Sequence, residues 1–275
     1  MSAYPGRLVL LGHPVAHSLS PAFQNAALER AEIPLRYEAL DVEPTDLAVT
    51  FARLVAERAA GNVTVPHKEA IARLCGSLTP EADRVGAVNT FAVRDSEAVG
   101  HNTDVAGFTH SATALLGGQP SGVTVGVFGA GGAAAAVLAA IESWAGCTAI
   151  VVNRNASRAK TLCERFRTIA RAGDAEDIAE HANIIVNATS LGMRRGETGP
   201  IDPDRLRHAT AVLDLVYSPT ETDFVHAARA RGLRATDGLP MLLSQGAAAF
   251  TWWFGRVPDV EVMWRAVGRS PRTLD

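Results

Sequence analysis

Two sets of residues in this 275-residue chain have types and spacings that could do chemistry. The first is a series of polar clusters in the N-terminal part: His17-Ser18-Leu19-Ser20-Pro21, Asn62-Val63-Thr64-Val65-Pro66-His67-Lys68, Gly86-Ala87-Val88-Asn89-Thr90 and His101-Asn102-Thr103-Asp104. Ser18 and Ser20 put two hydroxyls close together, so both can face one ligand. Asn62 and Thr64 alternate along an extended segment and share a side. Lys68 follows in a first helical turn, where the helix dipole disfavours a cation. Neutral donors and acceptors repeated at strand ends suit a small polyhydroxylated molecule, because α/β sheets bind ligands beyond the carboxyl ends of their strands. Taken singly, Ser20 and Thr64 can instead cap helices or turns, Asn89-Thr90 can form a turn, and Lys68 can be an exposed lysine. Asp104 can be a plain N-cap for a helix over Val105–Leu115.

The second set is Val123-Thr-Val-Gly-Val-Phe-Gly129-Ala130-Gly131-Gly132-Ala133-Ala134, followed by Val151-Val152-Asn153-Arg154-Asn155-Ala156-Ser157-Arg158. It reads as a strand, a glycine turn, a small-residue helix and a second strand. Gly129 and Gly131 let the backbone turn sharply and approach a pyrophosphate, which can rest on the helix N-terminus, while Ala134 lets the helix pack close to the strand. Binders of NAD place a carboxylate after the second strand for the ribose 2′-hydroxyl; binders of NADP use Arg for the 2′-phosphate. Here Arg154 and Arg158 stand four apart, a spacing that puts both guanidiniums on one side of a helical turn. The fork of donors on guanidinium matches phosphate, so the expected cofactor is NADP(H).

The elements that must position these residues alternate almost throughout, strand with helix, which predicts an α/β fold with mostly parallel sheets. Expected strands are Arg7–Leu11, Leu35–Val42, Asn62–Val65, Ala182–Asn187 and Ala211–Tyr217, with a hairpin of Gly86–Val93 and Ala98–Asn102 around Arg94–Glu97. Expected helices are Pro21–Arg30 with Ser20 as N-cap, Thr45–Ala59, a short one ending at Leu74, Met241–Phe254 and a terminal one over Val260–Val267. Gly117–Gly122 reads as a linker. The resulting organisation is an N-terminal α/β substrate domain over 1–105, a Rossmann-type NADP-binding domain with a parallel sheet over 106–237, and C-terminal helices over 238–275 that could cap either half.

Composition narrows the function classes. The net charge of −3 gives no basis for binding nucleic acid or an anionic membrane. Three cysteines, Cys75, Cys147 and Cys163, lie far apart without metal spacing, and the eight histidines show no HxxxH or HExxH pattern, so no metal is expected. Leu8–Leu11 is too short for a signal-peptide core, and the apolar run Ala133–Ile141 is too short to cross a bilayer. A cytoplasmic protein with reduced thiols is expected.

Across nearly its whole length the chain resembles the shikimate dehydrogenases of aromatic amino-acid biosynthesis. The likeness is carried, in order, by His17-Ser-Leu-Ser-Pro21 with Asn25, Asn62-Val-Thr-Val-Pro-His-Lys68, Gly86-Ala-Val-Asn-Thr90, Asn102-Thr-Asp104, Gly129-Ala-Gly-Gly132, Asn153-Arg154, Asn187-Ala-Thr-Ser-Leu-Gly-Met193, Asp214-Leu-Val-Tyr217 and Gly238-Leu-Pro-Met241 with Gln245. Gln24, Ala60 and Asn155 depart from the family pattern, which usually has His, Gly and Thr there. The resemblance implies reversible NADPH-dependent reduction of 3-dehydroshikimate to shikimate. It implies C-terminal helices that return to the substrate domain, with a cleft between the two domains, Lys68 and Asp104 as the catalytic pair, and Ser18 and Ser20 on the substrate carboxylate. Asn62, Thr64, Asn89, Asp104 and Gln245 would bind ring hydroxyls, with Tyr217 beside them. Cofactor contacts fall to Gly129, Ala130, Gly131, Gly132, Ala133, Asn153, Arg154 and Arg158, and to Thr189, Ser190, Met193, Leu215, Gly238 and Met241. Alternatives are a dual-specificity quinate/shikimate or amino-shikimate dehydrogenase and, more remotely, a non-catalytic ligand sensor. A monomer or homodimer is expected.

Overall fold

The computed structural model of the protein describes residues 4–194, 196–218 and 220–270. The chain divides into two units, one of the residues up to Gly107 with those from Leu242 onward, the other Phe108–Met241. In the first, strands β1 (Leu8–Gly12), β2 (Tyr37–Asp41), β3 (Ala60–Val63), β4 (Ser77–Leu78), β5 (Thr90–Arg94) and β6 (Glu97–His101) form a sheet in the order β2-β1-β3-β5-β6-β4. Helices α1 (Ser20–Arg30), α2 (Leu47–Ala56), α3 (Lys68–Leu74), α4 (Pro80–Val85) and α5 (Asp104–Leu116) are interleaved with these strands. Every residue of β1, Leu-Val-Leu-Leu-Gly, is buried, as a strand covered on both faces requires. On one face α2 packs through Leu47, Phe51 and Leu54, which recur at helical spacing, and Phe51 meets Phe91 edge-on at 5.1 Å.

Strands β1, β2 and β3 run parallel, whereas β5 is antiparallel to both β3 and β6. This mixture matters for the chemistry. Because β5 runs opposite to β3, Thr90 at its start pairs with Asn62 near the end of β3, and with His101 at the end of β6. The polar segments Asn62–Lys68, Gly86–Asn89 and Asn102–Asp104 therefore meet at one sheet edge. A tight turn closes the hairpin at Asp95 and Ser96, both with positive φ (48° and 69°).

The second unit holds β7 (Thr124–Phe128), α6 (Gly132–Glu142), β8 (Thr148–Val152), α7 (Ala156–Arg165), β9 (Ala170–Ala172), α8 (Ala175–His181), β10 (Ile184–Asn187), β11 (Ala211–Asp214), α9 (Asp223–Ala230) and β12 (Arg234–Thr236). Its strands lie in the order β9-β8-β7-β10-β11-β12, every pair parallel. Counted from β7, that is the doubly wound 3-2-1-4-5-6 order, whose topological switch point falls between β7 and β10. Helix α10 (Leu239–Phe254) continues from this unit into the first, where α11 (Val260–Ala266) packs on α1.

Several expected elements differ in detail. Ser20 is not an N-cap: Leu19 holds that position, Ser20 is the buried first residue of α1, and the Ser18 hydroxyl accepts the Ser20 N–H at 3.2 Å. Helix α2 is shorter than Thr45–Ala59, because Glu57 ends it and Arg58 turns with φ 55° before Ala60 enters β3. Strand β3 stops at Val63, so Thr64 lies beyond its end. The segment Gly86–Asn89 is loop, and the hairpin strand begins at Thr90. Helix α5 starts at Asp104 itself. The stretch Gly117–Gly122 lies inside the second unit, and the division between units falls within α5. Helix α4, unpredicted, has a Thr79 cap, Pro80 in its first turn and Gly86 in the left-handed C-cap conformation. Among the described residues no helix is long and apolar enough to cross a membrane.

Candidate active site

Lys68 and Asp104 meet at the sheet edge built by β3, β5 and β6. The Lys68 Nζ donates to Asp104 Oδ2 at 2.6 Å; the two side chains are 17% and 5% exposed. The position of each follows from local structure. Lys68 opens α3, and its carbonyl accepts from the Val88 N–H at 2.9 Å, which ties the helix start to the 86–89 loop. Beside it, His67 is buried and donates its Nε2–H to the Val42 carbonyl at 2.7 Å, so it serves the scaffold. Asp104 is oriented by Asn102, whose Oδ1 accepts the Asp104 N–H at 3.0 Å while its Nδ2 donates to the Ala87 carbonyl at 2.8 Å. The carboxylate thus faces Lys68 and is not a helix cap.

A buried amide network braces the pair. Asn89 Nδ2 lies within hydrogen-bond distance of Asp104 Oδ1 (2.8 Å), Thr103 Oγ1 (2.9 Å) and Gln245 Oε1 (3.2 Å). With two protons it can serve two of the three at a time. Its Oδ1 accepts from the Thr103 N–H at 2.7 Å and from the Thr103 hydroxyl at 3.2 Å. Asn89 thus braces the pair, and Thr103 is a network member beyond the expected site residues. Asn62 is fixed in the same way. Tyr37, fully buried, donates its hydroxyl to Asn62 Oδ1 at 2.8 Å, and Asn62 Nδ2 donates to the Asn89 carbonyl at 3.1 Å. Burial pushes the Tyr37 hydroxyl well above its ordinary pKa, so it remains a donor. Asn62 keeps one N–H for a ligand. Gln245 donates to the Leu242 carbonyl at 2.7 Å and likewise keeps a second N–H.

Ser18, Ser20 and Thr64 belong to the loops after β1 and β3. Those loops are joined by the Thr64 N–H on the Leu11 carbonyl (2.7 Å) and the His13 N–H on the Val65 carbonyl (3.0 Å). Gln24, in place of the family's usual His, is buried and donates to the Gly246 carbonyl at 3.0 Å.

In the second unit the glycine turn follows β7 at the switch point. Gly129 has φ +117°, and a Cβ there would lie 2.6 Å from the Ala188 carbonyl, so only glycine lets the β7 and β10 loops approach this closely. At Gly131 an added Cβ would meet nothing within 4 Å, and Gly131 caps α6 with no side-chain hydrogen bond. Ala130, Gly132 and Ala133 are half-buried beside it, and Ala134 is fully buried against the sheet. Open space above unsatisfied N–H groups at a helix start fits a pyrophosphate. After β8, Asn153, Arg154, Asn155 and Arg158 carry no negative charge, and Arg154 is exposed without a carboxylate partner among the described residues. Arg154 precedes α7, so the pair does not share a helical face; Arg158 alone lies in the first turn. Asn155 is the α7 cap, accepting from the Ser157 and Arg158 N–H groups, which engages its carbonyl oxygen and not a phosphate. The residues present fit NADP, with Arg154 available for a 2′-phosphate.

The loops after β10 and β11 and the segment after β12 carry the remaining expected site residues. Ser190 and Met193 are exposed, with Met193 68% accessible; Thr189, Leu215 and Tyr217 are half-buried. Gly238 and Met241 are buried, and a Cβ on Gly238 would lie 2.3 Å from the Leu215 carbonyl. Among the described residues no cluster of three His, Cys, Asp or Glu could hold a metal ion.

Three family models match the chain: the shikimate dehydrogenase substrate binding domain over residues 10–91, shikimate / quinate 5-dehydrogenase over 112–196, and the shikimate 5′-dehydrogenase C-terminal domain over 238–267. A shikimate dehydrogenase (NADP(+)) of Moorella thermoacetica is 46% identical over 279 aligned residues, covering 97% of this chain and 94% of that protein. The crystal structure of shikimate 5-dehydrogenase from Thermus thermophilus in complex with NADP(H) and shikimate superposes with a TM-score of 0.85 at 40% identity, covering 95% of this chain and 98% of that one. With relatives this similar along almost its full length, and with the paired lysine and carboxylate and the dinucleotide turn in place, the chain belongs to the shikimate dehydrogenase family.

Proposed function

We propose that the protein is an NADP-dependent dehydrogenase that interconverts 3-dehydroshikimate and shikimate. The observation that carries this reading is the desolvated Lys68–Asp104 pair, 2.6 Å apart and braced by Asn89, at an edge rich in neutral hydrogen-bonding groups. When bound, the nicotinamide supplies the hydride to the carbonyl carbon, or accepts it in the reverse direction. Lys68 then gives a proton to the carbonyl oxygen as negative charge develops there, and Asp104 holds the ammonium in place. In the oxidation direction the Lys68–Asp104 pair takes the hydroxyl proton. Low exposure at both groups strengthens the charge interaction by keeping water out.

The remaining residues bind and orient. Ser18 and Ser20, at the start of the 11-residue α1, offer two neighbouring hydroxyls that suit the substrate carboxylate. The free N–H groups of Asn62 and Gln245, with Thr64, address the ring hydroxyls, and Tyr217 serves the substrate as well. Arg154 recognises the 2′-phosphate. All three cysteines are free thiols, which fits a cytoplasmic setting.

Purified protein given shikimate and NADP+ is expected to show rising absorbance of reduced nicotinamide. Binding of both without turnover, or no turnover with either nicotinamide cofactor, overturns the reading. The matched family model spans quinate as well as shikimate enzymes. A side-by-side kcat/KM for the two acids decides between them, and the Ser18/Ser20 pair favours shikimate.

A further inference from the structure

Asp214 is a fully buried carboxylate at the end of β11 that the reaction above does not use, and among the described residues no cation touches it. Three neutral donors hold it instead: Asn187 Nδ2 at 2.8 Å and the Val216 N–H at 3.1 Å on Oδ1, and the Thr222 hydroxyl at 2.8 Å on Oδ2. Asn187, equally buried at the end of β10, passes the constraint on. Its Nδ2 also donates to the Leu191 carbonyl at 2.9 Å, and its Oδ1 accepts from the Thr189 N–H at 3.1 Å and the Thr189 hydroxyl at 2.6 Å. The Thr189 hydroxyl in turn accepts the Leu191 N–H at 3.0 Å.

One carboxylate thus fixes the loop over 188–193, the loop over 215–217 and the first turn of α9. The inner side of the 188–193 loop is saturated with hydrogen bonds, while its outer side presents Leu191 and Met193 to solvent, 47% and 68% exposed. Leu191 and Met193 are thus displayed on a pinned loop at the carboxyl end of parallel strands, the place where α/β sheets bind ligands. Burial raises the Asp214 carboxyl pKa, and the hydrogen bonds from Thr222, Val216 and Asn187 oppose that rise by favouring the carboxylate. Charge-assisted hydrogen bonds are the stronger kind, and the loops gain a stiff anchor.

We propose that Asp214 is a positioning residue for the nicotinamide end of the cofactor site, acting through Asn187 and Thr222 on the loops that carry Thr189, Met193 and Tyr217. This rests on the dehydrogenase reading. The test compares Asp214→Ala, Asp214→Asn and wild type by shikimate turnover and by titration with 2′,5′-ADP, which probes only the Gly129–Gly132 and Arg154 end. For Asp214→Ala, kcat is expected to fall about 10- to 100-fold, the loss of one or two charge-assisted hydrogen bonds, with 2′,5′-ADP affinity within about twofold of wild type. Asp214→Asn is expected to regain most of the turnover. Its carbonyl oxygen can still accept from Asn187 and Val216, and its amide can donate to the Thr222 oxygen. Wild-type kcat in Asp214→Ala, or loss of 2′,5′-ADP affinity in step with kcat, overturns the proposal. If Asp214→Ala fails to fold, Thr222→Val, which removes one of the three donors, must show the same split on a smaller scale; turnover equal to wild type then overturns it. An inactive wild-type protein would instead refute the dehydrogenase reading.

Discussion

Replacing Lys68 by Met removes the ammonium and keeps the stem, and the structure assigns this change two separable costs. Asp104 loses its 2.6 Å partner and stays 5% exposed with Asn89 as its remaining side-chain donor. Breaking a buried pair costs roughly 3–5 kcal/mol. Because the lysine side chain is 17% exposed and water can reach its place, the lower end applies. The second cost falls on the transition state. Loss of a positioned proton donor is worth about 10²- to 10⁴-fold in kcat, or about 3–5 kcal/mol in the barrier, with a much smaller change in KM. The two costs come apart in the double variant Lys68→Met/Asp104→Asn. There the uncompensated charge is gone, so urea unfolding should return toward wild type, while turnover of shikimate with NADP+ should not recover. A Lys68→Met enzyme with kcat within about tenfold of wild type would refute the reasoning. So would a double variant in which activity returns together with stability, since the lysine would then be a structural ion pair.

Arg154→Ala should raise the KM for NADP+ about 10- to 100-fold, the value of one or two hydrogen bonds to a charged group, and leave the KM for NAD+ nearly unchanged; an equal effect on both would remove the 2′-phosphate role. The two turn glycines should behave differently. Gly129→Ala forces a side chain into a +117° backbone 2.6 Å from the Ala188 carbonyl and should lower Tm, whereas Gly131→Ala meets no protein atom and should keep Tm but weaken NADP+ binding in a titration. His13 has its pKa raised chiefly by a 2.6 Å hydrogen bond to Asp41. Its contribution to stability is full below the ordinary histidine pKa of 6.5 and is lost as pH rises through the raised folded value. The Tm difference between wild type and His13→Gln should therefore be present in acid and vanish in alkali, and a constant difference would contradict it.

What can be read from the sequence is whatever depends on local rules. The glycine turn is legible because strand, turn and small-residue helix follow one another without interruption. The polar clusters are legible because a core has no use for Asn62, Asn89 or Asp104. Their convergence is not, since it depends on β5 pairing antiparallel to β3, which is decided by tertiary packing. The same limit applies to Tyr37, whose hydroxyl on Asn62 comes from a distant strand. The spacing of Arg154 and Arg158 suggests a shared helix only if Asn155 is ignored, and Asn155 is a good N-cap that starts α7 after Arg154. Helix α4 escapes the hydrophobic pattern although Thr79, Pro80 and Gly86 carry ordinary start and stop signals. Asp214 reads as the end of a buried strand, and nothing in its neighbours along the chain announces that two loops and the first turn of α9 depend on its carboxylate.

Asp104 and Asp214 bring out the chemical logic of the two units. Each is a buried carboxylate at the end of a strand or the start of a helix, and each accepts from the amide of an asparagine on a neighbouring segment: Asn89 at 2.8 Å for Asp104, Asn187 at 2.8 Å for Asp214. They differ in the second partner. Asp104 has an ammonium, which can give up a proton and carries a full charge to meet one developing on a substrate. Asp214 has a threonine hydroxyl and a backbone N–H, which hold position and exchange nothing at neutral pH. One arrangement is therefore suited to reaction and the other to alignment. Neutralising each acid should therefore differ in outcome: Asp214→Asn should keep most of the turnover, while Asp104→Asn would keep the Asn102 and Asn89 brace and lose it. Measured kcat in these two variants, against unchanged 2′,5′-ADP affinity in the second, would separate a carboxylate that aligns from one that reacts.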